Sequence, residues 1–322
     1  MTWNNSYIPP EKTNWQGRLD LPTNSLFYQT VETIDLRDQN LNLQPDANVL
    51  LGFSSDEGVK RNFGREGAKE GPDAIRQSLA KLPQHFENLK IYDAGNISCD
   101  DGNLEKSQIA FSELISKILN SKCLSIGLGG GHEIAFANFQ GIRKAFPDKK
   151  IGIINFDAHF DMRPMLTNNQ GSSGTPFLQI ANLEKDQFDY NVIGIQQTSN
   201  TKDLFKTADK HNTKVFLASD VHLGKTNHLL DFIGKVLSNN DLIYLTICLD
   251  VFATGFAPGV SAVQPLGLYP WQVIPLIRQL AASKKVVSFD IAELAPRYDI
   301  DNITAKLAAS LIHEFLHTKE NV

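Results

Sequence analysis

Cysteine is scarce in this chain. Only Cys99, Cys123 and Cys248 occur in 322 residues, and no two are closely spaced. That argues against a disulfide-stapled scaffold and for reduced thiols in the cytoplasm. Long apolar runs are missing too. No stretch reaches the length of a membrane span, and the opening "MTWNNSYIPPEKTNW" lacks the apolar core of a signal peptide. There is no long basic run, and 31 basic against 36 acidic residues leave a net charge of −5. Nucleic acid and anionic membrane are therefore not expected as partners. What remains is an ordinary globular composition, 42% hydrophobic and 21% charged, sufficient for a sizeable core.

Residues 1–45 are polar and aperiodic and read as an arm or loosely packed lead-in. Beyond them, short apolar runs alternate with helical patterns. The runs are "NVLLGFS", "LKIYDAG", "CLSIGLG", "KIGIINFD", "YNVIGI", "KVFLAS", "LIYLTICLDV" and "KKVVSFDIAE". Helices are expected over 72–82, 104–119, 132–145, 201–211, 228–237, 270–282 and 302–317. Several strands are apolar throughout, the pattern of a sheet covered on both faces. The βαβα order predicts an α/β fold, a three-layer sandwich around a parallel sheet of about eight strands. With no repeat, low-complexity tract or linker, residues 46–322 read as a single domain. Ligands of such sheets bind beyond the carboxyl ends of the strands.

Polar motifs fall at those ends. "NFDAHFDMR" places Asp157, His159 and Asp161 at alternate positions behind "KIGIIN". If the chain stays extended, the three side chains point the same way. Aspartate is a poor strand former, so a bound cation is one reason for the pattern. A polar loop with Asp157 capping a helix is the other reading. "CLSIGLGGGHEIAF" runs through three glycines to His132; no Lys-Ser or Lys-Thr follows, so it is a poor P-loop. "LIYLTICLDV" ends with Cys248 and Asp250, again two residues apart. Cys248 alone suits core packing, and its spacing from Asp250 also suits a ligand. "HEFLH", 313 to 317, matches the helical zinc motif H-E-x-x-H, but nothing downstream can supply a third ligand. Histidines near a helix C-terminus interact favourably with its dipole, which is the expected role here.

"GGGHE", "DAHFD", "SSGTPF", "LDVFATGFAPGVSA" and "DIAELAP", in this order, resemble the arginase–agmatinase–formimidoylglutamase (ureohydrolase) family over about residues 48 to 312. The resemblance implies an arginase-like sandwich and two divalent metal ions, usually manganese. It implies His132 and Asp161 as ligands of one ion, His159 and Asp250 as ligands of the other, and Asp157 between them. The family's second bridging aspartate falls at Cys248. A thiolate keeps the charge, but sulfur is softer and manganese prefers oxygen. Cys248 can bridge, bind one ion or leave one site weak.

Within the family, "SSGTPF" resembles the formimidoylglutamases. Arginases carry a proton-shuttling histidine where this chain has Ser173, and a hydroxyl cannot shuttle protons near neutral pH as imidazole does. "DEGVKRNFGREGAKEGPDAIR" also resembles that branch, and Arg61, Asn62 and Arg65 offer donors to a substrate bearing carboxylates. Asp161 is expected to orient water, Glu293 to pair with the amidinium, and Ser173 to lie near the substrate. The expected reaction is hydrolysis of N-formimidoyl-L-glutamate in histidine breakdown, by a cytoplasmic homo-oligomer. A guanidinobutyrase or agmatinase type of hydrolase, or a metal-poor non-catalytic relative, are the other readings.

Overall fold

The computed structural model describes residues 3–18, 20–86, 89–224 and 226–321. All eight expected strands are present: β3 (Asn48–Ser54), β4 (Ile91–Ser98), β5 (Leu124–Gly129), β6 (Ile151–Phe156), β7 (Asp189–Ile195), β8 (Lys214–Leu217), β9 (Leu242–Cys248) and β10 (Val286–Ala292). Their order is β4-β3-β5-β10-β9-β6-β7-β8, and every neighbouring pair is parallel. Two short strands, β1 (Tyr7–Ile8) and β2 (Glu32–Thr33), pair with β4, the first antiparallel and the second parallel.

Helices cover both faces. Alternation along β3 sends Leu50 to one side and Val49, Leu51 and Phe53 to the other. The Leu50 side packs under helices Gly71–Leu79, Thr226–Asn239, Pro270–Ala282 and Ile303–Glu320. The Phe53 side packs under Leu104–Asn120, Ile134–Ala145, Pro176–Glu184 and Lys202–Lys210. Asn103 caps one helix by accepting from Lys106 N (3.1 Å), and Thr201 caps another by accepting from Leu204 N (3.4 Å). The helix Pro176–Glu184 was not expected. It is short and largely apolar, so its residues show no clear period. Its place matters, because Phe177 stacks on Tyr190 (centroids 4.2 Å) and meets the His132 ring edge-on (5.4 Å).

The first 45 residues correct the expectation of a loose arm. Trp3, Tyr7, Trp15, Phe27, Leu36 and Leu43 are all buried, and the segment contributes β1 and β2 to the sheet. Its aromatics are scattered without a period, which is why a pattern reading passes over them. Trp15 is tied to a buried ion pair: Trp15 Nε1 donates to Asp93 Oδ2 (2.8 Å), while Arg76 Nε donates to Asp93 Oδ1 (3.0 Å). Arg76 also reaches Asn96 Oδ1 (2.7 Å) and the Gly95 carbonyl (2.7 Å). Arg76 is 1% exposed and Asp93 is 0% exposed, so neither charge has water to fall back on. Removing one partner of such a pair strands the other. Arg76→Leu should therefore lower the unfolding free energy by about 3–5 kcal/mol in urea titrations; a loss under about 1 kcal/mol would show that Asp93 finds other compensation.

Candidate metal and catalytic site

The strand order assembles the site. β5, β10, β9 and β6 are consecutive neighbours in the middle of the sheet. His132 follows β5, Glu293 follows β10, Cys248 ends β9, and the Asp157–Asp161 segment follows β6. The turn after β5 needs glycine: a Cβ at Gly130 would stand 2.0 Å from the Ser55 carbonyl oxygen. The Gly130 carbonyl in turn accepts from Glu293 N (2.8 Å), and His132 N donates to Glu293 Oε1 (2.9 Å).

Asp157 is the common member of two ligand sets. Donor atoms of His132, Asp157 and Cys248 lie within 4.8 Å of one another, as do those of Asp157, His159 and Asp250. His132 Nδ1 is 2.9 Å from both Asp157 Oδ2 and Asp161 Oδ2. His159 Nδ1 is 3.1 Å from Asp250 Oδ2. All six expected ligands thus meet, though not through an extended strand. β6 stops at Phe156, His159 N folds back onto Asp157 Oδ1 (2.7 Å), and Asp161 takes a left-handed conformation with φ 47°. Asp250 likewise sits in a tight turn after β9 rather than on the strand.

A hydrogen-bonded chain orients His132. Its Nε2 lies 2.9 Å from Thr246 Oγ1, and that hydroxyl donates to Asp290 Oδ1 (2.6 Å). Asp290 Oδ2 accepts from Tyr244 (2.5 Å) and Asn138 (2.6 Å). With Thr246 Oγ1 donating onward, His132 Nε2 is the donor to that hydroxyl, and Nδ1 is the nitrogen that faces Asp157 and Asp161: protonated it donates to those carboxylates, and deprotonated it can bind a cation.

The electrostatics of the site favour positive charge among its carboxylates. Burial pulls the His132 imidazole down, but hydrogen bonds and charge from Asp157 and Asp161 outweigh it and hold the pKa well above the usual range. Burial also opposes protonation of His159, and Asp250 with Asp157 reverses that. Asp161 is pushed up to about 6 by burial and then by the Asp157 charge. Burial and the Asp157 and Asp250 charges raise the Cys248 thiol far above its ordinary value. Burial raises Glu293 as well, reinforced by Glu133 and Asp250. Asp250 Oδ1 is buried without a hydrogen-bond partner among the described residues. A cluster of carboxylates, two imidazoles, a thiol and an unsatisfied buried oxygen fits divalent cations, which favour the deprotonated forms of all these groups.

The site opens into a cavity of about 310 Å³, lined by His159, Asp161, Cys248, Asp250 and Glu293 at its polar floor. Asn62, Arg65 and Ser173 also line it, and Asn62 Nδ2 donates to Ser173 Oγ (3.3 Å). Arg65 is anchored by Nε to the Ser261 carbonyl (2.9 Å) and by Nη2 to the Val260 carbonyl (2.6 Å). Arg61 does not line the cavity, contrary to expectation. Its guanidinium is held by Glu57 (3.0 Å), Glu105 (2.7 Å) and the carbonyls of Gly171 and Gly102 (both 3.1 Å), so it braces loops instead. Arg163 was overlooked. It stands two residues beyond Asp161, and its place beside that cluster in "DAHFDMR" was the available signal. It lies exposed on the cavity wall, and its one hydrogen bond among the described residues is from its backbone N to the Gly174 carbonyl (2.8 Å). The "HEFLH" histidines lie elsewhere: His313 and His317 pack with His85, Phe27 and Phe86, and His313 Nε2 is 3.1 Å from the Pro83 carbonyl. Burial lowers the His313 pKa, and His317 lies in the last turn of the helix Ile303–Glu320.

A parallel three-layer sandwich with an Asp/His cluster at its central strand ends defines a metal-dependent hydrolase of ureohydrolase type. Residues 46–318 match the arginase family model, and the chain belongs to the arginase family. It is 45% identical over 316 residues to a formimidoylglutamase of Legionella pneumophila (strain Lens), covering 97% of this chain and 98% of that one. Among solved structures it is similar to Trypanosoma cruzi formiminoglutamase with Mn²⁺, at TM-score 0.77 and 27% identity, covering 85% of this chain and 93% of that one. The fold also matches formimidoylglutamase from Bacillus subtilis at TM-score 0.82 and 22% identity, over 95% and 94% of the two chains.

The hydrogen-bonded chain behind His132 makes a direct prediction. Thr246→Val keeps the shape but removes the acceptor that fixes the imidazole, and should weaken metal binding by about 10- to 100-fold. Isothermal calorimetry on chelator-stripped protein reads this without turnover, and unchanged affinity would show that Phe177 packing alone orients the ring.

Proposed function

We propose that this chain hydrolyses N-formimidoyl-L-glutamate to L-glutamate and formamide. One observation carries the reading beyond the relatives' names. A cavity whose floor is carboxylate-rich has on its wall a guanidinium, Arg163, that no protein acceptor occupies among the described residues. The floor suits an amidinium and the wall suits a carboxylate, which are the two ends of this substrate.

The residues divide the work. His132, Asp157, His159, Asp161, Asp250 and Cys248 would hold two divalent cations, with manganese the best match to the oxygen-rich set. Such cations supply Lewis acidity, which lowers the pKa of water and polarises the amidine. Glu293 lies buried beside Glu133 and Asp250, so its carboxyl resists ionisation until a positive group arrives. A bound amidinium is that group, and the pairing fixes the amidine carbon over the floor. Asp161 accepts a hydrogen bond from the attacking water and orients it. Arg163 and Asn62 hold the carboxylate end, and Arg65, anchored on the Ser261 and Val260 carbonyls, adds positive charge at the wall. Ser173, buried at 6% exposure, supports Asn62 and supplies no proton shuttle. A formimidoyl carbon receives density from two nitrogens rather than three, so it is more electrophilic than guanidine and needs less proton-transfer help.

The setting follows from the same chain. All three cysteines are unpaired, which supports a cytoplasmic location, and among the described residues no helix is long and apolar enough to cross a membrane. Leu223, Leu266 and Trp271 remain largely exposed, which supports assembly into a homo-oligomer.

Two experiments test the reading. In the first, the Mn²⁺-loaded protein should turn over N-formimidoyl-L-glutamate and leave arginine, agmatine and guanidinobutyrate nearly untouched. Arg163→Ala should raise KM about tenfold with a smaller change in kcat, and Glu293→Gln should cut kcat/KM by roughly two orders of magnitude. Turnover of a guanidine without turnover of formimidoylglutamate would overturn the assignment. In the second, Cys248→Asp should hold Mn²⁺ at least as tightly as the parent, because a hard oxygen replaces a soft sulfur. Cys248→Ala should hold it more weakly while stability in excess chelator stays close to the parent's. Parent-like metal binding by Cys248→Ala would reduce the thiol to core packing.

A further inference from the structure

The short helix Glu57–Arg61 closes with two backbone bonds, Phe63 N to the Lys60 carbonyl (3.0 Å) and Gly64 N to the Val59 carbonyl (2.8 Å). This pattern places Phe63 at the left-handed position of the helix terminus, with φ 60°, where glycine is the usual occupant. A large side chain there is strained. Glycine is available one residue later, yet the strained position holds a phenyl ring. The ring gains no packing in return: Phe63 is 97% exposed, the most exposed of the large hydrophobic residues described. An arrangement that costs both backbone energy and apolar exposure marks a site where something other than stability placed the residue.

Its location says what that is. Phe63 borders the catalytic cavity together with Asn62, Gly64 and Arg65. The segment beneath it is fixed. Val59 is buried, Gly58 N donates to Glu133 Oε1 (3.0 Å), and Arg65 N donates to Ser261 Oγ (2.7 Å). The ring is therefore the free part of an anchored loop, able to turn on its own side-chain torsions. The wall below offers mostly polar groups, and Val59, Leu204 and Ala262 are its small apolar share. A glutamate derivative spanning from Glu293 to Arg163 would lay its two methylenes between these polar groups, where the described lining offers little apolar cover.

We propose that Phe63 is a substrate-positioning residue whose ring closes over the cavity mouth and covers the methylene chain of the bound glutamate derivative. The inference rests on the formimidoylglutamate reading above. The ring provides apolar contact and water exclusion, and the strain at Phe63 holds it outside the core so that it is free to do so.

Phe63→Gly separates this role from a structural one, because it relieves the left-handed strain. The variant should melt at the parent's temperature or higher, while KM for N-formimidoyl-L-glutamate rises about tenfold and kcat falls less. Phe63→Trp, which restores a large ring, should recover most of the lost KM. A KM within about twofold of the parent's for Phe63→Gly would overturn the proposal. So would a rise in KM accompanied by a changed sedimentation coefficient, which would assign the ring to a contact between copies of the chain. Failure of the functional reading is visible in the parent alone, as absence of turnover. In that event calorimetric binding of L-glutamate to the Mn²⁺-loaded parent and Phe63→Gly decides the inference. Affinity about tenfold weaker in the variant supports it, and equal affinity sinks it.

Discussion

Asp157 places a carboxylate at zero exposure between two imidazoles. A charge in that position is tolerated only when positive partners surround it. The His132 and His159 protons hold the Asp157 pKa below the ordinary carboxylate range despite burial, and divalent cations would take over that task when bound. The rest of the site is arranged to serve the same requirement. Asp161 and Asp250 add negative charge on either side, Thr246 and Asp290 fix the tautomer of His132, and the glycine turn after β5 brings Glu293 against the His132 amide. Without compensation for Asp157, these neighbours would repel one another. With cations present, each becomes a favourable contact.

The sheet supplies the geometry and the loops supply the discrimination. Four central strands deliver their ends to one point because parallel neighbours finish on the same side. The segments above the strand ends then shape the cavity wall. Here these are the loop through Asn62 and Arg65, the turn through Arg163, and Ser173 ahead of the helix Pro176–Glu184. That helix links the two levels, since Phe177 packs against the His132 ring while the loop before it forms the cavity wall.

Arginines illustrate how far residue type alone informs function. Arg76, Arg61 and Arg163 carry the same group and do three different things. Arg76 compensates Asp93 in the interior, and Arg61 clamps Glu57 and Glu105 across loops. Arg163 is left to face the cavity. The distinction lies in acceptor supply: a guanidinium surrounded by protein oxygens is structural, and one without them is available to a ligand.

Strand and helix patterns are local, so the sequence by itself determined the eight parallel strands, most of the helices and which side chains gather at the strand ends. Apolar runs and glycine turns act over a few residues, where backbone propensity and side-chain alternation suffice, and Asp157, His159 and Asp161 marked the site by their residue types. The packing of residues 1–45 was not legible, because Trp3, Trp15 and Phe27 find their partners across the fold rather than along the chain. Nor was the turn that replaces an extended segment at Asp161, since its φ of 47° depends on what the carboxylate meets. The roles of Arg61 and Arg163, the chain from His132 through Thr246 to Asp290, and the exposure of Phe63 were decided only by tertiary structure. Each depends on which acceptors and which solvent surround a side chain, and most of those come from residues tens to hundreds of positions away.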